Sequence, residues 1–125
     1  MTKILVVEDD KNQQELYRLE LVAEGYEVDV ASDGKEAIAK AQKDRPDLIV
    51  LDISMPGMDG IEAMGKILGT DNRIPIVLNT AYSSYKDNFM TWSADAYVIK
   101  SSDLTPLKNT IKQVLENVRQ QQSGK

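Results

Sequence analysis

The sequence holds no cysteine and no histidine, and its 125 residues include one Trp and one Phe. Without Cys there is no disulfide, no thiol nucleophile and no thiolate zinc site, a usage that fits a reducing cytoplasm. Without His there is no Ser-His-Asp triad, no imidazole-bound metal and no phosphohistidine on this chain. No apolar stretch nears the roughly 18 residues that span a bilayer. The opening Met1-Thr2-Lys3 runs into a short apolar segment closed by Glu8-Asp9-Asp10, which is not a signal peptide. Positive charge is scarce: 15 Lys and Arg face 20 Asp and Glu, a net charge of −5. That balance argues against holding nucleic acid or an anionic membrane by bulk electrostatics. Chemistry is left to carboxylates, hydroxyls, Lys and Arg.

What is present is an ordinary globular composition, 42% hydrophobic, in a length that suits one domain. Four apolar runs are rich in β-branched residues and do not alternate: Ile4-Leu5-Val6-Val7, Leu48-Ile49-Val50-Leu51, Ile76-Val77-Leu78 and Tyr97-Val98-Ile99. Such runs suit strands buried on both faces of a parallel sheet. Residues 27–31 alternate Val28 and Val30 with acids, as an edge strand does. Helical spacing separates the runs. The first helix carries Leu16, Leu19 and Ala23 and stops at Gly25. The second opens at Ser32 or Asp33 and carries Ala37, Ile38 and Ala41. The third has Ile61, Met64, Ile67 and Leu68; the fourth, over 83–92, is polar but for Phe89, Met90 and Trp92; the last has Leu104, Leu107, Ile111, Val114 and Val118. The order is β-α repeated five times, a single α/β domain with a doubly wound five-stranded parallel sheet. It covers 1–119, and 120–125 read as a polar C-terminal tail or linker stub.

In such a sheet, ligands lie beyond the carboxyl ends of the strands. Glu8, Asp9 and Asp10 follow the first run, Asp52 the third, Asn79 and Thr80 the fourth, and Lys100 the fifth. Taken singly, each is as easily a turn, a cap or a solvated charge. Together they bring carboxylates, a hydroxyl and an ammonium to one edge. Clustered carboxylates repel unless a cation sits among them. A hard cation with oxygen ligands, most simply Mg2+, with Mn2+ as a substitute, answers that need and leaves room for phosphate oxygens.

The segment Asp52-Ile53-Ser54-Met55-Pro56-Gly57-Met58-Asp59-Gly60 narrows the reading. Here the chain resembles the receiver domain of two-component response regulators, matching the D-x-x-M-P-x-M-D-G loop in which the first Asp accepts a phosphoryl group. Glu8-Asp9, Thr80-Ala81 and Lys100 match in order and spacing, and the resemblance runs from Lys3 to about Val118. It implies a flavodoxin-like strand order, 2-1-3-4-5. It also implies that Asp52 is the phosphoacceptor and that Glu8, Asp9, Asp52 and the Ser54 backbone carbonyl hold the metal. Thr80, with Ala81, and Lys100 would bind the phosphoryl group, and Tyr97 would be the switch aromatic. Ser54 and Tyr82 are expected to tune the lifetime of the aspartyl phosphate. The donor would be a sensor histidine kinase or a phosphotransfer protein, since this chain has no His. The face over 83–118, from the fourth helix through the last, would meet a downstream partner or form a phosphorylation-dependent homodimer. Such a domain is a cytoplasmic switch with slow self-dephosphorylation, not a turnover enzyme, and it binds neither nucleic acid nor membrane. It would act alone or as part of a longer regulator.

Two departures from the family pattern matter. Where the family has Pro after the lysine, joined by a cis bond, this chain has Ser101 followed by Ser102. A cis bond before a residue other than Pro costs roughly 2.5–4 kcal/mol, and a trans bond is expected to displace the Lys100 loop. Phe89, Met90 and Trp92 are large for their segment and fit either packing beneath the fourth helix or a docking patch. Three rival readings are weaker. A flavin module would need a phosphate-cradling loop where Glu8-Asp9-Asp10 stand. A phosphohydrolase would need a second Asp where Ser54 stands. A degenerate receiver would bind partners without phosphorylation, despite keeping Asp52, Glu8, Asp9, Thr80 and Lys100.

Overall fold

Five short segments pair edge to edge and in one direction: β1 Lys3–Val7, β2 Glu27–Ala31, β3 Leu48–Leu51, β4 Ile76–Thr80 and β5 Ala96–Ile99. The computed structural model describes residues 1–52, 60–81 and 94–123. The sheet order is β2-β1-β3-β4-β5, as expected, with alternating β2 at one edge. Helices α1 Lys11–Ala23, α2 Gly34–Lys43, α3 Gly60–Thr70 and α4 Thr105–Ser123 complete the described elements. The expected helix over 83–92, with Phe89, Met90 and Trp92, lies outside the described residues.

Strand parity sorts the core into two layers, because successive side chains point to opposite faces. Leu5, Val7, Ile49, Leu51, Ile76 and Leu78 face α2 and α3, where Ala37, Ala41, Met64 and Ile67 close the layer. Ile4, Val6, Leu48, Val50, Val77 and Val98 face α1 and α4, and meet Tyr17, Leu21, Leu107 and Ile111. Both faces of the three central strands are thus covered, which is why their sequences read as unbroken apolar runs.

The helix ends are set by local chemistry. The Asp10 carboxylate accepts from the N–H groups of Asn12 and Gln13 at the start of α1, and Asp33 does the same for Glu36 in α2. Helix α1 stops at Gly25, the one residue with positive φ (98°) among those described; its N–H reaches the Val22 carbonyl, and that of Tyr26 reaches Leu21. A Cβ there would meet nothing within 4 Å, so the expected penalty of Gly25→Ala is the backbone conformation alone. It is expected to cost about 1 kcal/mol in urea unfolding; an unchanged midpoint would remove this cap from the account.

One expectation shifts. The buried residues of α1 are Tyr17 and Leu21, while Leu16 and Leu19 are 43% and 54% exposed. Helix α4 spans Thr105–Ser123, so its backbone continues into the polar stretch after 119. No described helix is long and apolar enough to cross a membrane.

Candidate functional site

Parity also decides what lies beyond the strand ends. Glu8 continues the Ile4-Val6 face of β1, Asp52 the Val50 face of β3, and Lys100 the Val98 face of β5. All three therefore fall on the α1 side of the sheet edge. The backbone continues its pairing past the strands to hold them there. Glu8 N–H donates to Ala31 O (3.0 Å), Asp52 N–H to Val7 O (3.1 Å) and Lys100 N–H to Thr80 O (2.8 Å).

The side chains meet. Lys100 Nζ donates to Glu8 Oε1 at 2.6 Å and to Asp52 Oδ2 at 2.9 Å. Glu8 Oε2 accepts from the Asp10 N–H at 3.0 Å. Glu8 and Asp52 are 2% and 6% exposed, and Thr80 is fully buried; Asp9 and Ala81 are exposed. Burial pushes the Glu8 carboxyl above the ordinary carboxylate range, against the pull of the Lys100 and Asp10 hydrogen bonds. Burial works the other way on Lys100, yet its bonds to Glu8 and Asp52 prevail and hold the ammonium above the usual lysine value. In this arrangement Lys100 is the cation that offsets two buried carboxylates.

One oxygen each from Glu8, Asp9 and Asp52 lies within 4.8 Å of the others, close to the roughly 4 Å that opposite ligands of a Mg2+ ion span. The donor set is all oxygen and its Asp9 side is open to solvent, so a hard divalent ion fits and a soft one does not. Ser54, whose carbonyl was expected to join this set, lies outside the described residues, as does Tyr82. Tyr97 is half-buried against the layer that contains Leu78.

The Lys100–Ser101 peptide is trans, there being no cis bond among the described residues. With that trans bond Lys100 still reaches both Glu8 and Asp52. The β4–β5 ladder ends at Thr80↔Ile99, and the Lys100 N–H bond to Thr80 carries it one residue further. Its side chain is aimed before the chain reaches Ser101.

Two polar residues near the site, Gln14 and Tyr17, gave little sign in the sequence, and Asn79 was placed at the edge without a role. Gln14 donates its amide to the Glu8 carbonyl and to Ser32 Oγ at 3.1 Å. Tyr17 and Asn79 are 4% and 3% exposed. Burial raises the Tyr17 hydroxyl above its usual range, while the Asn79 side-chain hydrogen bond and the Lys100 charge draw it down.

The chain matches the model of the response regulator receiver domain over residues 4–112. It is 38% identical over 117 residues to the response regulator ArlR of Staphylococcus saprophyticus, covering 92% of this chain and 53% of that protein. It therefore spans about half the length of the curated relatives it matches. Among solved structures, the response regulator TrrA of Thermotoga maritima in complex with Mg2+-BeF is 44% identical, with TM-score 0.89 over 91% of this chain and 99% of that one. TrrA in complex with the histidine kinase ThkA gives TM-score 0.86 at 44% identity, over 92% of this chain and 99% of that one. A CheY-like receiver domain from Methanospirillum hungatei gives 0.92 at 28% identity, over 97% of this chain and 98% of that one.

Proposed function

This chain belongs to the response regulator receiver domain family, and we propose that it is a signalling switch that takes a phosphoryl group onto Asp52. The observation that carries the reading is the Asp52 carboxylate at 2.9 Å from Lys100 Nζ, beside the Glu8-Asp9 pair. Mg2+, or Mn2+ in its place, would be held by Glu8, Asp9, Asp52 and the Ser54 carbonyl; when bound it supplies charge neutralisation and orients phosphate oxygens. The solved complex of TrrA with Mg2+-BeF supports this assignment.

The chain's own groups do the rest. An Asp52 oxygen attacks phosphorus, the bond from phosphorus to the donor's leaving atom breaks, and that atom keeps the electron pair. The obstacle is charge, since both reactants are anionic, and the Lys100 ammonium offsets it where negative charge accumulates. Thr80 offers its hydroxyl to the attached group, with Ala81 beside it, and Lys100 exchanges part of its carboxylate pairing for phosphoryl oxygens. Added charge and acceptor oxygens favour the conformer that closes these residues around them. Tyr97 turns inward as Thr80 moves, and the 83–118 surface changes to meet an output partner or a second copy. Ser54 and Tyr82 tune water access to the acyl phosphate.

No residue here originates a phosphohistidine, so the donor is a sensor histidine kinase or phosphotransfer protein, a reading that the solved TrrA–ThkA complex supports. The domain works in the cytoplasm as a switch, with slow self-dephosphorylation in place of turnover.

The test is incubation with a small acyl phosphate, followed by intact-mass measurement. One phosphoryl adduct is expected with Mg2+, and none with a chelator. Failure to form any adduct with Mg2+ at high donor concentration would overturn the proposal in favour of a phosphorylation-independent binding module.

A further inference from the structure

The inward stripe of α1 runs Gln14, Tyr17, Leu21, spaced by three and four, and its first member is an amide. Tyr17 and Leu21 are buried and Gln14 is half-buried, at a position where packing alone would take Leu or Met. Gln14 Nε2 donates twice, to the Glu8 carbonyl and to Ser32 Oγ at 3.1 Å, which matches the two hydrogens an amide nitrogen carries. The β1–β2 register ends at Val7↔Ala31, and the Glu8 N–H still reaches Ala31 O at 3.0 Å. Beyond that rung the chain turns into α2, and the Glu8 carbonyl takes its donor from Gln14. Ser32 is tied to the first turn of α2, its N–H donating to Glu36 Oε1 while the Glu36 N–H donates to Asp33 Oδ1 at 2.8 Å.

Gln14 also holds the acidic loop from its other end. Its backbone N–H donates to Asp10 O at 2.9 Å, and the Asp10 N–H donates to Glu8 Oε2 at 3.0 Å. These bonds close a ring: the Gln14 side chain holds Glu8, its backbone holds Asp10, and Asp10 returns to Glu8. Asp9 stands between the two held residues, its backbone bracketed while its side chain is open to solvent. Three carboxylates offer oxygens within 4.8 Å of one another. Lys100 already fixes those of Glu8 and Asp52; Asp9 takes its place from the loop.

We propose that Gln14, its amide oriented by Ser32, is a positioning residue that brackets Asp9 and thereby sets how tightly the acidic edge holds a divalent cation. This rests on Glu8, Asp9 and Asp52 holding that ion. A loop already ordered before the ion arrives spares the binding step the cost of ordering it, and partners that orient metal ligands act in this way.

The test uses Gln14→Met, Gln14→Glu, Ser32→Ala and the double variant Gln14→Met with Ser32→Ala, in the full chain. Three quantities are measured: the Mg2+ dissociation constant by calorimetric titration, the maximal uptake rate from a small acyl phosphate at saturating Mg2+, and the NMR order parameters of the Asp9 and Asp10 amides in metal-free buffer. Gln14→Met is expected to weaken Mg2+ binding about tenfold, with the maximal uptake rate equal to the parent's once Mg2+ saturates. The two order parameters should fall from about 0.85 toward about 0.6. Gln14→Glu has the shape of the amide and no N–H to give. Its added negative charge alone would tighten Mg2+ binding, whereas loss of the bracket should weaken it. Ser32→Ala should weaken Mg2+ in the parent and add nothing beside Gln14→Met, because Ser32 acts only through the amide. An unchanged dissociation constant in Gln14→Met, tighter binding in Gln14→Glu, or a maximal uptake rate that stays low at saturating Mg2+ would overturn the proposal. Were the unmodified chain to bind no Mg2+, the metal reading would fail by itself, and the order parameters would decide whether Gln14 brackets Asp9.

Discussion

Lys100→Met is expected to lower stability by about 3 kcal/mol in metal-free buffer at neutral pH, and most of that loss should return on adding Mg2+. The lysine side chain is 16% exposed, and the two carboxylates it bonds are 2% and 7% exposed at their side chains. Removing the cation leaves two buried carboxylates facing each other, and that orphaned charge, more than the lost attraction, is the source of the penalty. A divalent ion binding only the folded chain would offset it by mass action. The pH dependence has a definite sign. Glu8 has a folded pKa already raised by burial, so its ionisation weighs against the folded state at neutral pH. Its share of the variant's deficit should shrink as pH falls through that raised value. Urea unfolding with and without Mg2+, at neutral and mildly acidic pH, checks all three points. A variant as stable as the parent without metal would mean that Lys100 does not offset Glu8 and Asp52.

Leu51→Ala is expected to cost about 3–4 kcal/mol, a large part of the roughly 5–15 kcal/mol that holds a domain of this kind together. Leu51 is fully buried on the central strand β3, pairs with Val7 and Leu78 in register, and immediately precedes Asp52. The cavity would open beneath the acidic edge. The urea midpoint should fall sharply, and the folded fraction that remains should accept phosphoryl groups more slowly because β3 no longer holds Asp52 rigidly. A loss below 1 kcal/mol would contradict the assigned packing of the α2–α3 layer.

The fold was open to reading because the strands advertise themselves. Ile4 to Val7 and Leu48 to Leu51 have no polar face to alternate, and only a sheet covered on both sides gives such runs a place. The acidic edge was open for a related reason: Glu8, Asp52 and Lys100 each stand directly after a run, and a parallel sheet brings such positions together. Helix α1 was harder. Its apolar residues offer two stripes, Leu16-Leu19-Ala23 and Tyr17-Leu21, and the larger stripe is the exposed one. The roll of the helix goes with the Asp10 cap and with Gln14 reaching the Glu8 carbonyl and Ser32 Oγ. These are hydrogen bonds between side chains and the neighbouring loops, which no apolar periodicity encodes. Ser101 bears on the loop that follows, while Lys100 itself is held by its backbone pairing with Thr80.

The claim on which the account depends is that Asp52 itself carries the phosphoryl group. Its most direct test is reduction with borohydride after exposure to a small acyl phosphate and Mg2+, followed by peptide mapping. An aspartyl phosphate is reduced to the alcohol, so homoserine is expected at position 52 and nowhere else, and Asp52→Asn should give none. Homoserine at Asp9 or Asp10, or a phosphoryl group found on a serine or threonine with position 52 intact, would contradict it.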